Sequence, residues 1–133
     1  MNVVDSSGWL EYFADGPNAD FFAPAVERLS ELLVPTLSVY EVFKRVIQQR
    51  GEGEALRAIA QMQQGEVVAL DTEIALSAAK ISFELRLPMA DSIMLATAKR
   101  HEASLWTQDA DFEAMEGVRY IAASARKVNH TGT

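Results

Sequence analysis

Five acids carry the chemical interest of this chain: Asp5, Glu41, Asp91, Asp109 and Asp111. Asp5 closes the run Val3-Val4-Asp5 and opens Asp5-Ser6-Ser7, where β-branched residues give way to a helix-start signal. Glu41 falls on a helix beginning after Pro35, Asp91 in the first turn of the apolar segment Leu87–Ala98, and Asp109 and Asp111 on the loop after Leu105-Trp106-Thr107. There is no cysteine, and the only histidines are His101 and His130. Carboxylates that converge without His or Cys form an all-oxygen donor set, which suits a hard cation such as Mg²⁺ or Mn²⁺ rather than zinc. That pattern fits metal-assisted attack on a phosphodiester, with ions activating a water and steadying charge on the attacking and leaving oxygens.

Each acid also has a plainer reading. Asp5, Asp109 and Asp111 are all placed to cap helices, and Glu41 reads locally as a solvated helix residue. Asp91 gains from the positive end of its helix dipole, but by no more than about 1 kcal/mol. Because Met94, Leu95 and Ala98 share its face, an ionised Asp91 needs a cation or hydrogen bonds. Asp71, before Thr72, reads as a cap at a strand's end.

The elements that would position these acids alternate along the chain. Strands are expected at Asn2–Val4, Leu33–Pro35, Val67–Leu70, Ala103–Thr107 and Val118–Ile121. Between them, helical spacing of apolar residues is found after Asp5, over Asp20–Leu33, from Thr36 or Ser38 to Arg50, over Glu52–Gln64, from Thr72 to Arg86 and beyond Pro88. Asp15-Gly16-Pro17-Asn18 is a turn, and Gly51 and Gly65 stop helices. This alternation implies an α/β domain with a mostly parallel sheet and helices on both faces. In such sheets ligands bind outside the carboxyl ends of the strands, where Asp5 and Asp109 fall.

At 133 residues, 49% of them apolar and 23% charged, the chain has the composition of one ordinary globular domain. The sequence shows no repeat, low-complexity block or linker. Absence of cysteine, of a basic leader and of any membrane-length apolar run leads us to expect a soluble cytoplasmic protein. The net charge of -7 argues against phosphate-bearing partners, but two divalent cations would offset more than half of it. The last residues, 122–133, are small, polar and weakly basic through Arg126, Lys127 and His130, and are expected to fray.

Four segments taken together resemble the PIN-domain ribonucleases, and among them the VapC-type toxins of toxin–antitoxin modules. They are Val-Val-Asp-Ser-Ser at Asp5, Ser-Val-Tyr-Glu-Val at Glu41, Leu-Pro-Met-Ala-Asp-Ser-Ile-Met-Leu-Ala-Thr-Ala at Asp91, and Leu-Trp-Thr-Gln-Asp-Ala-Asp-Phe at Asp109. The resemblance runs from Asn2 to about Ile121 and implies a three-layer PIN domain over residues 1–121 with four to five strands. It implies that Asp5, Glu41, Asp91 and Asp109 are catalytic metal-binding acids, with Asp111 a fifth or substitute ligand and Ser6, Ser7 and Thr107 supporting them. The implied reaction is endonucleolytic hydrolysis of tRNA or rRNA to a 5′-phosphate and a 3′-hydroxyl. The implied partners are a second copy of the chain and a VapB-like antitoxin. Exposed apolar residues of the Val39–Ile47 helix and of the helix after Gly53 are the candidate contacts.

Basic residues that would hold RNA are scattered over Lys44, Arg45, Arg50, Arg86, Lys99 and Arg100. Each reads individually as a solvated helix residue; Lys44 is the best single candidate because it follows Glu41 by nearly one helical turn, and Arg45 stands beside it. Trp9 and Trp106 lie in apolar patterns and are read as core rather than base-stacking. The main rival keeps the fold without the chemistry, as a PIN-like module that binds a protein partner. Phosphatase and receiver readings fit poorly, since Ser7 stands where a second phosphatase Asp belongs and Ala122-Ala123, not Lys, directly follow Val118–Ile121.

Overall fold

The computed structural model describes residues 1–124. Its centre is a five-stranded sheet of β1 (Asn2–Val4), β2 (Leu32–Pro35), β3 (Glu66–Val68), β4 (Ser104–Thr107) and β5 (Val118–Tyr120), in the order β3-β2-β1-β4-β5. Every pair is parallel, with Asn2 opposite Leu32 and Val4 opposite Trp106. Parallel strands need crossovers, and six helices provide them: α1 (Ser6–Phe13), α2 (Ala19–Glu27), α3 (Thr36–Arg50), α4 (Glu52–Met62), α5 (Thr72–Leu85) and α6 (Met89–Arg100). The expected three-layer α/β architecture is therefore present, with five strands, all parallel. Expectations for the tail beyond residue 124, including Arg126, Lys127 and His130, lie outside the described residues.

Side chains alternate across each strand, so each strand supplies two cores. Val4, Leu32, Val34 and Trp106 face α1 to α4 with Trp9, Phe22, Val42 and Met62. Val3, Leu33 and Leu105 face the other way, onto Leu87, Met94, Leu95, Ala98 and Phe112. Ile74 and Ala78 of α5 pack on Ile93 and Ala96 of α6. Seven consecutive residues of α6, Ser92–Ala98, are buried. Both tryptophans are core, as the sequence pattern indicated.

Two boundaries differ from the sequence reading. The helix expected to reach Leu33 ends at Glu27, and a short 3-10 turn, Leu29–Glu31, leads into β2. Leu32 and Leu33 continue the helical apolar spacing, yet they bury on opposite faces of the sheet, which only a strand permits. The strand expected over Val67–Leu70 spans Glu66–Val68 at the sheet's edge, and Leu70 is exposed.

The chain enters β1, β2 and β3 in order on one side and then crosses back over β1 to form β4. The direction of winding thus reverses between β1 and β4, and a crevice opens there at the strands' carboxyl ends. α1, which forms one wall of that crevice, packs closely on α2 behind it. A Cβ on Gly8 would stand 2.6 Å from the Phe22 ring and 2.7 Å from Val4. Gly8→Ala should therefore lower stability by about 1–3 kcal/mol, read as a reduced urea midpoint at unchanged slope.

Candidate metal centre

Asp5 follows β1 immediately and caps α1, accepting from the Gly8 N–H at 2.9 Å. It is buried, and both oxygens are engaged: Oδ1 also accepts from Ser7 Oγ at 2.8 Å, and Oδ2 from Thr107 Oγ1 at 2.5 Å. Burial pushes the Asp5 carboxyl above its ordinary range, while the bonds from Thr107, Gly8 and Ser7 pull it back. The cap and the cleft are thus not alternatives for Asp5, which serves both. Thr107 Oγ1 in turn accepts from the Asp109 N–H at 2.9 Å, so one hydroxyl joins the ends of β1 and β4.

Asp109 caps the short turn Ala110–Phe112 by accepting from the Asp111 N–H at 2.9 Å. Carboxylate oxygens of Asp91, Asp109 and Asp111 lie within 4.8 Å of one another, two of these residues half-buried and Asp111 exposed. Burial, then the neighbouring carboxylates of Asp109 and Asp111, push the Asp91 carboxyl up to about 7. Three acids so close cannot all ionise comfortably without a cation, and an all-oxygen triad beside Asp5 has the chemistry of a Mg²⁺ or Mn²⁺ site.

On the other wall Glu41 of α3 is half-buried and accepts from Ser6 Oγ at 2.5 Å. Asp5, Glu41, Asp91 and Asp109 all line a single cleft of about 260 Å³, with Ser6, Ser7, Leu10, Arg45, Ala90 and Met94 completing it. Asp111 stands at its rim through the triad. Arg45 is a lining residue, whereas Lys44 lies in the adjoining hollow on α3. Asp71 caps α5, accepting from the Ile74 N–H at 2.9 Å, and is not part of the cleft.

The sequence reading passed over Glu11, Asn18 and Gln108. Glu11 and Asn18 are buried, and Glu11 accepts from the Asn18 N–H at 2.8 Å. Asn18 Nδ2 donates to Gln108 Oε1 at 2.9 Å and to the Ala122 carbonyl at 3.0 Å, which ties the loop bearing Asp109 to the turn after α1. Asn18 in a turn signal gives no hint of contacts 90 and 104 residues away, and Glu11 reads as an ordinary polar helix position.

An all-parallel, three-layer α/β domain with a carboxylate-lined crevice at its switch point is what the fold and site define. The PIN domain family model matches residues 3–118, and the chain belongs to that family. Among solved structures, a toxin–antitoxin complex from Klebsiella pneumoniae is 21% identical, covers 89% of this chain and 95% of that chain, and superposes with a TM-score of 0.77. VapC20 of Mycobacterium tuberculosis, described as a sarcin–ricin loop cleaving toxin, is 15% identical over 87% of this chain and 95% of that one, with a TM-score of 0.68. VapBC2 of Rickettsia felis, bound to promoter DNA, is 9% identical over 91% and 97%, with a TM-score of 0.70. These likenesses show the shared fold. No curated protein matches the chain significantly by sequence.

The raised Asp91 value sets a pH dependence whose sign is fixed. A carboxyl held at about 7 in the fold and 3.8 when unfolded favours the folded state while protonated. That stabilisation is full below 3.8 and is lost as pH rises toward 7. Asp91→Asn should therefore stabilise the metal-free protein at pH 8 by about 1 kcal/mol, after allowing for solvent screening at this half-buried site. The gap between the thermal midpoints of the two proteins should stay near its full size from pH 8 to pH 7 and narrow steadily from pH 7 to pH 5.

Proposed function

We propose that this chain is the toxin of a toxin–antitoxin pair, an endoribonuclease that uses Mg²⁺ or Mn²⁺ to hydrolyse phosphodiester bonds in tRNA or rRNA. The observation that carries the reading is the meeting of Asp5, Glu41, Asp91 and Asp109 in one cleft, from four separate segments of the chain. One similar structure described as a toxin–antitoxin complex and another described as a sarcin–ricin loop cleaving toxin support it. The four acids, with Asp111, would hold the cation, which supplies Lewis acidity at the phosphodiester and an activated water. A water oxygen would bond to phosphorus as the P–O3′ bond breaks, the water giving up one proton and O3′ taking one up, to leave a 5′-phosphate and a 3′-hydroxyl.

The chain's own residues prepare that site. Ser6 and Ser7 hold Glu41 and Asp5 in place, and Thr107 keeps one Asp5 oxygen and the Asp109 backbone in fixed relation. Arg45, on the same cleft, supplies positive charge for an approaching phosphate. A VapB-like antitoxin would neutralise the enzyme in the cytoplasm by covering this cleft. Exposed Ile47 and Leu56, on α3 and α4, give that partner apolar footing. A second copy would pack on α5, where Leu76 and Phe83, the latter 85% exposed, flank the small Ala79 on one face. An antiparallel pairing about a two-fold axis brings Leu76 of each copy toward Phe83 of the other.

Purified, partner-free protein should cut a pool of tRNA and rRNA into discrete products with Mg²⁺ or Mn²⁺ and not with chelator. Asp5→Asn and Asp91→Asn should each lower the rate more than about a hundredfold, beyond the 10–100-fold typical of residues that only support a metal ligand. Thr107→Val should fall within that smaller range while the metal requirement persists. Equal behaviour of wild type and both acid variants under every metal condition would exclude the enzyme and leave a protein-binding PIN module.

A further inference from the structure

We infer that the outer face of α3 is a nucleotide-stacking strip, on which Tyr40 receives an unpaired base beside the scissile phosphate while Lys44 and Arg45 hold the neighbouring phosphates. The inference rests on the nuclease reading and names the residues outside the acid cleft that would seat the RNA beside it. A second hollow of about 290 Å³, lined by Tyr40, Glu41, Lys44, Arg45 and Gln48, lies along this helix. Glu41 and Arg45 line both this hollow and the acid cleft, so the two are continuous. Among the residues lining the two hollows, Tyr40 is the one aromatic group.

Tyr40 is 61% exposed, unlike both tryptophans, and with the Lys44 ammonium over its ring an incoming base must take the other face or displace that ammonium. Lys44, one turn further along, places its Nζ 5.9 Å from that ring's centre. Among the described residues Lys44 and Arg45 form no ion pair, as is true of most cations here, and what sets these two apart is that they line the hollow beside the acids. In a chain of net charge -7, two unneutralised cations beside a cluster of acids mark where a polyanion can approach. An aromatic face interleaved with cations is the arrangement that binds single strands, because every base has a stacking face and every nucleotide a phosphate. Bases in a duplex are already stacked on one another and cannot lie on Tyr40. Gln48 closes the hollow with an amide that can donate to and accept from a base edge.

The test is polarisation binding of labelled single-stranded and duplex RNA oligomers to the full chain with chelator present, paired with steady-state cleavage with Mn²⁺. Tyr40→Ala should weaken single-strand binding about tenfold and Tyr40→Phe by less than about twofold, with duplex binding altered little. Lys44→Gln should reduce the slope of log affinity against log salt by about 0.7, the value for one phosphate contact on a single strand. In cleavage, the Tyr40→Ala loss should appear chiefly in KM. Unchanged binding in Tyr40→Ala, or an equal loss in Tyr40→Phe, would overturn the inference. So would intact RNA binding with weakened antitoxin capture, which would assign the strip to the protein partner. Tyr40-dependent binding without any cleavage would sink the nuclease reading and leave the strip; acid-dependent cleavage indifferent to Tyr40 would do the reverse.

Discussion

Asp5 is a carboxylate buried at the end of the central strand, and it has to be satisfied from inside the protein. Its donors come from two directions. Gly8 and Ser7 belong to the first turn of α1, and Thr107 ends β4. Satisfying this one group therefore fixes how α1 leaves β1 and how β4 pairs beside it, where Val4 lies opposite Trp106. The same Thr107 hydroxyl accepts from the Asp109 N–H, so the loop that carries the next acid is set by the same bond network. Asn18 holds that loop from its far side through Gln108.

A second constraint works against the fold. Asp91, Asp109 and Asp111 bring their oxygens within 4.8 Å, and the Asp91 carboxyl is driven up to about 7 by burial and by its two acidic neighbours. Such repulsion lowers stability and would be removed by substituting neutral residues. Structural needs do not account for it, since α6 is already buried along seven consecutive residues without help from Asp91. A hard cation would convert the repulsion into binding energy, and the cluster's position at the strand-order reversal would put it where substrates of parallel sheets bind.

Much of this was legible in the sequence, for reasons that differ by residue. Asp5 could be placed because a strand signal and a helix-cap signal abut there, and Asp91 because a charge stood inside an apolar helix. Thr107 and both serines near Asp5 were also in view. Glu41 was not separable from a solvated helix residue by local pattern, because its burial against Ser6 depends on how α3 and α1 meet. The end of α2 was missed because Leu32 and Leu33 satisfy helical spacing and strand alternation equally well, and pairing with β1 decides between them. Glu11, Asn18 and Gln108 escaped because their meaning lies in contacts across the whole chain, which no local window contains.

The central claim is that the converging acids form a binding site for a divalent cation, and calorimetric titration of the purified chain with Mn²⁺ tests it most directly. At pH 6.5 the account predicts saturable binding accompanied by proton release, with the release fading toward pH 8.5 as Asp91 becomes ionised beforehand. Binding should be lost in Asp91→Asn and in Asp109→Asn while both variants remain folded. Absence of saturable binding at millimolar Mn²⁺, or binding that both variants retain, would contradict it.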